Sequence, residues 1–123
     1  MFSNLMNYQD RISNIFSVNG ELSQSIKGFR PRTEQIEMAH AVGESIQNKS
    51  SLVIEAGTGT GKTFAYLAPA LVFGKKTIIS TGSKNLQDQL FNRDLPAIKK
   101  ALNFTRKIAL LKGRANYLCL ERL

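Results

Sequence analysis

The sequence predicts an α/β fold: an incomplete parallel sheet of about three strands with helices packed against it. Three observations lead there. Short β-branched runs alternate with stretches of helical period. A glycine-rich turn joins the first of these runs to a helix, the arrangement by which α/β sheets bind ligands at the carboxyl ends of their strands. Strand–helix–strand connections of this length are right-handed crossovers, which set successive strands parallel.

The elements follow in order. Leu5, Tyr8, Ile12, Ile15 and Phe16 recur at helical spacing, so residues 1–16 carry one amphipathic helix. Asn19-Gly20 breaks it. A short helix from Glu21 to Ile26 precedes Gly28, and residues 33–47 form a longer one with Ile36, Ala39, Val42 and Ile46 on one stripe. Leu52 to Glu55 reads as a short buried strand. A helix from Lys62 to Phe73 follows, ended by Gly74. Thr77 to Thr81, β-branched and apolar, is the second strand. Ser83 caps the next helix, which turns Leu86, Leu90 and Phe91 inward. Asp94 caps a further helix with Pro96 in its first turn. Lys107 to Leu111 is the third strand, and Arg114 to Leu123 is loop or the start of a helix.

Composition bounds the function. A chain of 123 residues makes at most one small domain, and 42% hydrophobic residues suffice for a core. The longest apolar run, Phe64 to Phe73, contains Pro69 and falls far short of the ~20 residues that span a bilayer. The N-terminus has neither a basic region nor an apolar one of the secretory kind. One cysteine excludes an internal disulfide framework. Cytoplasmic residence is therefore expected, with no membrane partner. Charge is uneven: residues 1–61 hold five Lys/Arg against six Asp/Glu, residues 62–123 twelve against three. Such a basic half suits a polyanion, most simply nucleic acid, and equally a solvated lysine-rich surface.

The richest segment is Ser-Leu-Val-Ile-Glu-Ala-Gly-Thr-Gly-Thr-Gly-Lys-Thr, residues 51–63. It matches a phosphate-binding P-loop except at the first glycine, which is Ala56. Gly57, Gly59 and Gly61 allow positive φ and close approach of the backbone to phosphate. With Ala56, Thr58 and Thr60 they form a turn whose N–H groups line an anion nest at a helix N-terminus. Lys62 supplies a mobile positive charge for the β and γ phosphates, and the Thr63 hydroxyl suits Mg²⁺. ATP and Mg²⁺ are the expected ligands.

The loop alone does not separate a kinase, a GTPase, a transporter ATPase and a helicase. Its flanks do. Phe29-Arg30-Pro31-Arg32-Thr33-Glu34-Gln35 resembles the Q-type motif of superfamily 2 helicases, in which an aromatic, a basic residue and a glutamine recognise adenine. The Gln35 amide has a donor and an acceptor, as adenine N6 and N7 require, and Arg32 is the basic neighbour. Residues 78–90, Ile-Ile-Ser-Thr-Gly-Ser-Lys-Asn-Leu-Gln-Asp-Gln-Leu, resemble helicase motif Ia. There Thr81, Ser83 and Lys84 suit contacts to nucleic-acid phosphates.

Together with Ala-Tyr-Leu-Ala-Pro-Ala-Leu, Arg-Asp-Leu-Pro and Leu-Leu-Lys-Gly-Arg-Ala-Asn-Tyr-Leu-Cys, these segments resemble the bacterial DinG/YoaA-type helicases, relatives of XPD, over about residues 18–123. The resemblance implies a P-loop NTPase domain of RecA-like fold. It implies ATP-dependent 5′ to 3′ unwinding of DNA in repair or replication recovery, with single-stranded DNA and replication proteins as partners. It makes Cys119 the first of four ligands to a 4Fe–4S cluster. The expected organisation is an N-terminal helical extension (1–17), the first part of the ATP-binding domain (18–112) and the start of the iron–sulfur insertion (113–123). The acids after Lys62 are only Asp88, Asp94 and Glu121, and no acidic pair follows a strand. A second RecA-like domain with its arginine fingers is also missing. The chain by itself is therefore expected to be a truncated, non-catalytic nucleotide- or DNA-binding module. Its uncovered sheet edge favours self-association.

Overall fold

The computed structural model describes residues 7–57 and 61–113. The helices α1 (Tyr8–Ile15), α2 (Glu21–Ser25), α3 (Thr33–Asn48), α4 (Lys62–Phe73), α5 (Lys84–Gln89) and α6 (Leu95–Ala101) enclose one core. A π-helical turn, Leu90–Asp94, joins α5 to α6.

α1 begins where the Asn7 side chain accepts from the Asp10 N–H at 2.8 Å, satisfying one of the free donors of a helix start. Its inner face buries Ile12, Ile15 and Phe16 completely. Each side chain of this size contributes about 1.5–3 kcal/mol when fully buried. α2 starts at once because Gly20 admits the turn: a Cβ there would lie 2.1 Å from the Asn14 carbonyl oxygen. The Arg11 guanidinium pairs with both carboxylate oxygens of Glu21 across the junction.

α3 and α4 form the most extensive helix pair, with α1 lying across both. The buried stripe of α3 is Gln35, Ala39 and Gly43, flanked by Ile36 and Met38. It is rotated from the expected stripe, whose Val42 and Ile46 are only half-buried. The reason is Gly43, where a Cβ would come within 2.6 Å of Ile12 Cδ1 and 3.3 Å of Tyr8. Helix α1 seats in this notch. α4 ends at Gly74, which is left-handed at φ 75° and donates its N–H to Ala70 O. Arg106 donates to the Gly74 carbonyl, placing a cation at the negative end of the helix.

The expected parallel sheet is not there. Among the described residues no strand forms: Leu52–Glu55, Thr77–Thr81 and Lys107–Leu111 carry no ladder. Val53 is 96% exposed, Ile78 90% and Leu111 86%. A helix closes its backbone hydrogen bonds within one segment, whereas a strand needs a neighbour in register. These segments lack one. Thr77–Thr81 and Lys107–Leu111 instead line a groove of about 860 Å³, floored by Leu67, Leu71 and Phe91.

The region after Ser83 also departs from expectation. Leu90 is buried, but Leu86 is 41% exposed. Asp94 does not cap a new helix; its backbone is helical (φ −76°, ψ −44°), and its side chain makes no capping bond. The chain runs as helix from Lys84 to Ala101. Pro96 has no N–H to give the carbonyl four residues back. The π turn accommodates this locally, with Leu95 N–H bonding to Leu90 O. Among the described residues no helix is long and apolar enough to cross a membrane.

Candidate functional site

The site is built at the N-terminus of α4. Gly61 is left-handed (φ 76°, ψ 37°) and immediately precedes Lys62, the first helical residue. A side chain would be strained at that φ, and a Cβ would meet Gln35 Nε2 at 2.2 Å. The Gly61 carbonyl accepts from Ala65 N–H at 3.3 Å and from Gln35 Nε2 at 3.0 Å. Lys62 Nζ donates to the Ala56 carbonyl at 3.0 Å. Ala56 and Lys62 thus tie the two ends of the loop together. Thr58, Gly59 and Thr60 lie outside the described residues. Gly57 does not have a positive φ, and a Cβ there would meet nothing within 4 Å. Of the described loop glycines only Gly61 uses its conformational freedom.

Gln35 is 3% exposed, and its Oε1 is buried with no hydrogen-bond partner. The orientation of its amide follows from Gly61, since a carbonyl only accepts and so faces the NH₂ end. Gln35 therefore joins the start of α3 to the glycine-rich loop before α4, and one of its donors is already engaged. Arg32 is exposed at the N-cap of α3, where its side chain makes no capping bond. Phe29 is half-buried. Its ring lies 6.4 Å from that of Phe16 and 6.4 Å from that of Phe64, the residue after Thr63.

Thr63 is half-buried, one turn before Tyr66 on α4. Burial pushes the Tyr66 hydroxyl pKa up; the neighbouring Thr63 side chain lowers it, and the negative charge of Asp94 raises it. Asp94 is buried and pairs with Arg93 Nε at 3.2 Å. Sequence reading placed neither Tyr66 nor Asp94 here. The spacing of Thr63 and Tyr66, three apart on a helix, was the available signal. Nothing local foretold Asp94, because the π turn brings it inward.

The motif Ia residues sit apart, at the start of α5. Thr81 Oγ1 donates to Ser83 O at 3.4 Å, and Ser83 Oγ accepts from Leu86 N–H at 3.2 Å, the expected cap. Lys84 is exposed. Cys119 lies outside the described residues. Among the described residues no group of three or more His, Cys, Asp or Glu could hold a metal ion.

The family described as DEAD/DEAH box helicase matches residues 34–120. The chain is 89% identical over 118 residues to the ATP-dependent DNA helicase YoaA of Haemophilus influenzae, which covers 96% of this chain and 18% of that protein. It is 63% identical over 108 residues to the YoaA of Escherichia coli, covering 88% and 17% respectively. It is 44% identical over 107 residues to the ATP-dependent helicase DinG of Mycobacterium tuberculosis, covering 80% and 16%. The chain thus spans less than a fifth of the length of these curated relatives. No solved structure matches it. The chain belongs to the DEAD/DEAH box helicase family, on its YoaA and DinG side.

Proposed function

We propose that this chain is the ATP-binding segment of an ATP-dependent DNA helicase. The observation that carries the reading is the junction of Gly61, Lys62 and Gln35, which joins a phosphate-type loop to an adenine-type glutamine. The donor set fits a nucleotide triphosphate: an anion-favouring helix start, a lysine, a threonine hydroxyl and a buried amide with an unpartnered oxygen. The backbone of residues 56–61 cradles the phosphates, Lys62 neutralises them and Thr63 ligates Mg²⁺. Gln35 reads the adenine edge, with Arg32 as its basic neighbour. When bound, Mg²⁺ neutralises charge on the phosphate oxygens. Thr81, Ser83 and Lys84 contact the backbone of single-stranded DNA.

The finer assignments carried over from the resemblance are 5′ to 3′ unwinding, a role in DNA repair or replication recovery, and replication proteins as partners. We assign residues 1–17 to an N-terminal extension that carries α1, 18–112 to the first part of the ATP-binding domain and 113–123 to the start of an iron–sulfur insertion. A 4Fe–4S cluster takes four thiolates, and this chain has one cysteine. The cluster does not fit these residues alone, so Cys119 is proposed as one ligand of four.

A second reading concerns the 123 residues by themselves: nucleotide or DNA binding without turnover. It is favoured by the three acids after Lys62, of which Asp94 is buried against Arg93. Calorimetric titration with Mg²⁺–ATP tests the binding claim. Lys62→Ala is expected to weaken ATP at least about tenfold, as loss of a charge-assisted contact does. Gln35→Ala is expected to weaken ATP more than GTP, and equal losses would remove Gln35 from adenine reading. The chain is expected to show no DNA-stimulated ATPase activity. Turnover that vanishes in Lys62→Ala would overturn the non-catalytic reading.

A further inference from the structure

Helix α1 lies before the part of the chain that carries the helicase motifs, yet it is built into the site. Phe16, its C-cap residue, is fully buried, and its ring meets the Phe29 ring at 6.4 Å with a 46° tilt. Phe29 in turn meets Phe64 at 6.4 Å, edge to face at 68°. Phe29 opens the segment that leads to Gln35, and Phe64 follows Thr63 on α4. Three rings thus connect α1, the base-reading segment and the phosphate helix. Phe29 is held on its own side by a turn in which Gly28 is left-handed (φ 82°) and Phe29 N–H bonds to Ile26 O at 3.1 Å.

We infer that Phe16 is a positioning residue for nucleotide base recognition, acting through Phe29. Aromatic contacts are directional, because each ring has a negative face and a positive edge. An aliphatic side chain of like volume fills the space without fixing the angle of its neighbour. The Phe16 ring therefore sets the angle of Phe29, and Phe29 sets where the chain enters α3 and Gln35. The phosphate loop depends on Gly61 and Lys62 instead, whose hydrogen bonds with the Gln35 side chain and the Ala56 carbonyl do not involve Phe16.

This rests on the nucleotide-binding reading above, and the test separates the two. The full 123-residue chain is titrated with ATP and with inorganic tripolyphosphate, which has the phosphates and no base. Phe16→Met keeps volume and apolarity but removes the ring. It is expected to weaken ATP about fivefold, the worth of a lost ring pair, and to leave tripolyphosphate unchanged. Equal losses for both ligands, or no loss for either, overturn the proposal. If Phe16→Met does not fold by circular dichroism, Phe16→Leu breaks the same ring contact with Phe29 and is expected to give the same selective loss. Wild-type chain that binds neither ligand sinks the nucleotide-binding reading itself. Binding of tripolyphosphate with no preference for ATP removes base recognition, and the role of Phe16 with it.

Discussion

Two regions of this molecule use similar side chains to opposite effect. In the helical region, Ile12, Ile15, Phe16, Leu67 and Ile98 are fully buried. In the three extended segments, Val53, Ile78 and Leu111 are almost fully exposed. Apolarity does not distinguish them. Each helix of α1, α3 and α4 satisfies its own backbone, so only its side-chain face has to find a partner. The extended segments have backbone groups that only another strand in register can pair. The difference teaches that a buried helix needs a neighbour for its side chains, while a buried strand needs one for its backbone first.

Substitutions sharpen this comparison. Phe16→Ala removes the largest fully buried side chain and is expected to cost about 3–5 kcal/mol, with urea unfolding as the measure. A loss below about 1 kcal/mol would mean that α1 is not part of the cooperative core. Gly43→Ala fills the notch beneath Ile12 Cδ1, 2.6 Å from the new Cβ. Because the obstacle is the end of a flexible side chain, the expected cost is about 1–2 kcal/mol.

Tyr8→Phe removes the hydrogen bond that the Tyr8 hydroxyl donates to Pro69 O while keeping the ring beside Phe73, 5.5 Å away. It is expected to cost about 1 kcal/mol. It also changes the alkaline response. Burial pushes the Tyr8 pKa up from 10.0 to about 12. The unfolded chain then releases this proton first, so the stability from the buried hydroxyl is whole below pH 10 and is lost as pH rises through about 12. The variant should lose stability less steeply between those values, measured by melting temperature. An unchanged slope would detach Tyr8 from α4.

The smallest effect is expected outside the helical region. Ile78→Ser should change stability by no more than about 0.5 kcal/mol, because the side chain is 90% exposed. A destabilisation like that of a core residue would show that Thr77–Thr81 is packed in solution.

The same division explains what was legible beforehand. α4 runs from Lys62 to Phe73 with Gly74 as its cap, as glycine placement and the apolar run foretold. Ser83 caps α5 for the reason its hydroxyl suggests. Gly61 is left-handed where the phosphate loop requires it. Asp94 misled, because the usual logic of Asp followed by Leu-Pro is a new helix start, and here Pro96 is absorbed by a π turn in a continuing helix. Gly20 read as a breaker, and Gly43 carried no local signal of its role. Both are points of close approach between helices, a role set by what lies opposite.

By itself, the sequence determined where α4 starts and stops, which residue caps α5, which turn needs a left-handed glycine, and which motifs flank it. Those outcomes depend on hydrogen bonds and sterics within a few residues of each position. Only the tertiary structure decided that Gln35 spends a donor on Gly61, that Asp94 is buried beside α4, that α1 meets the segment leading to Gln35 through Phe16, and that three extended segments stay unpaired among the described residues. Each of these depends on which distant group arrives at contact distance, and no local pattern encodes that.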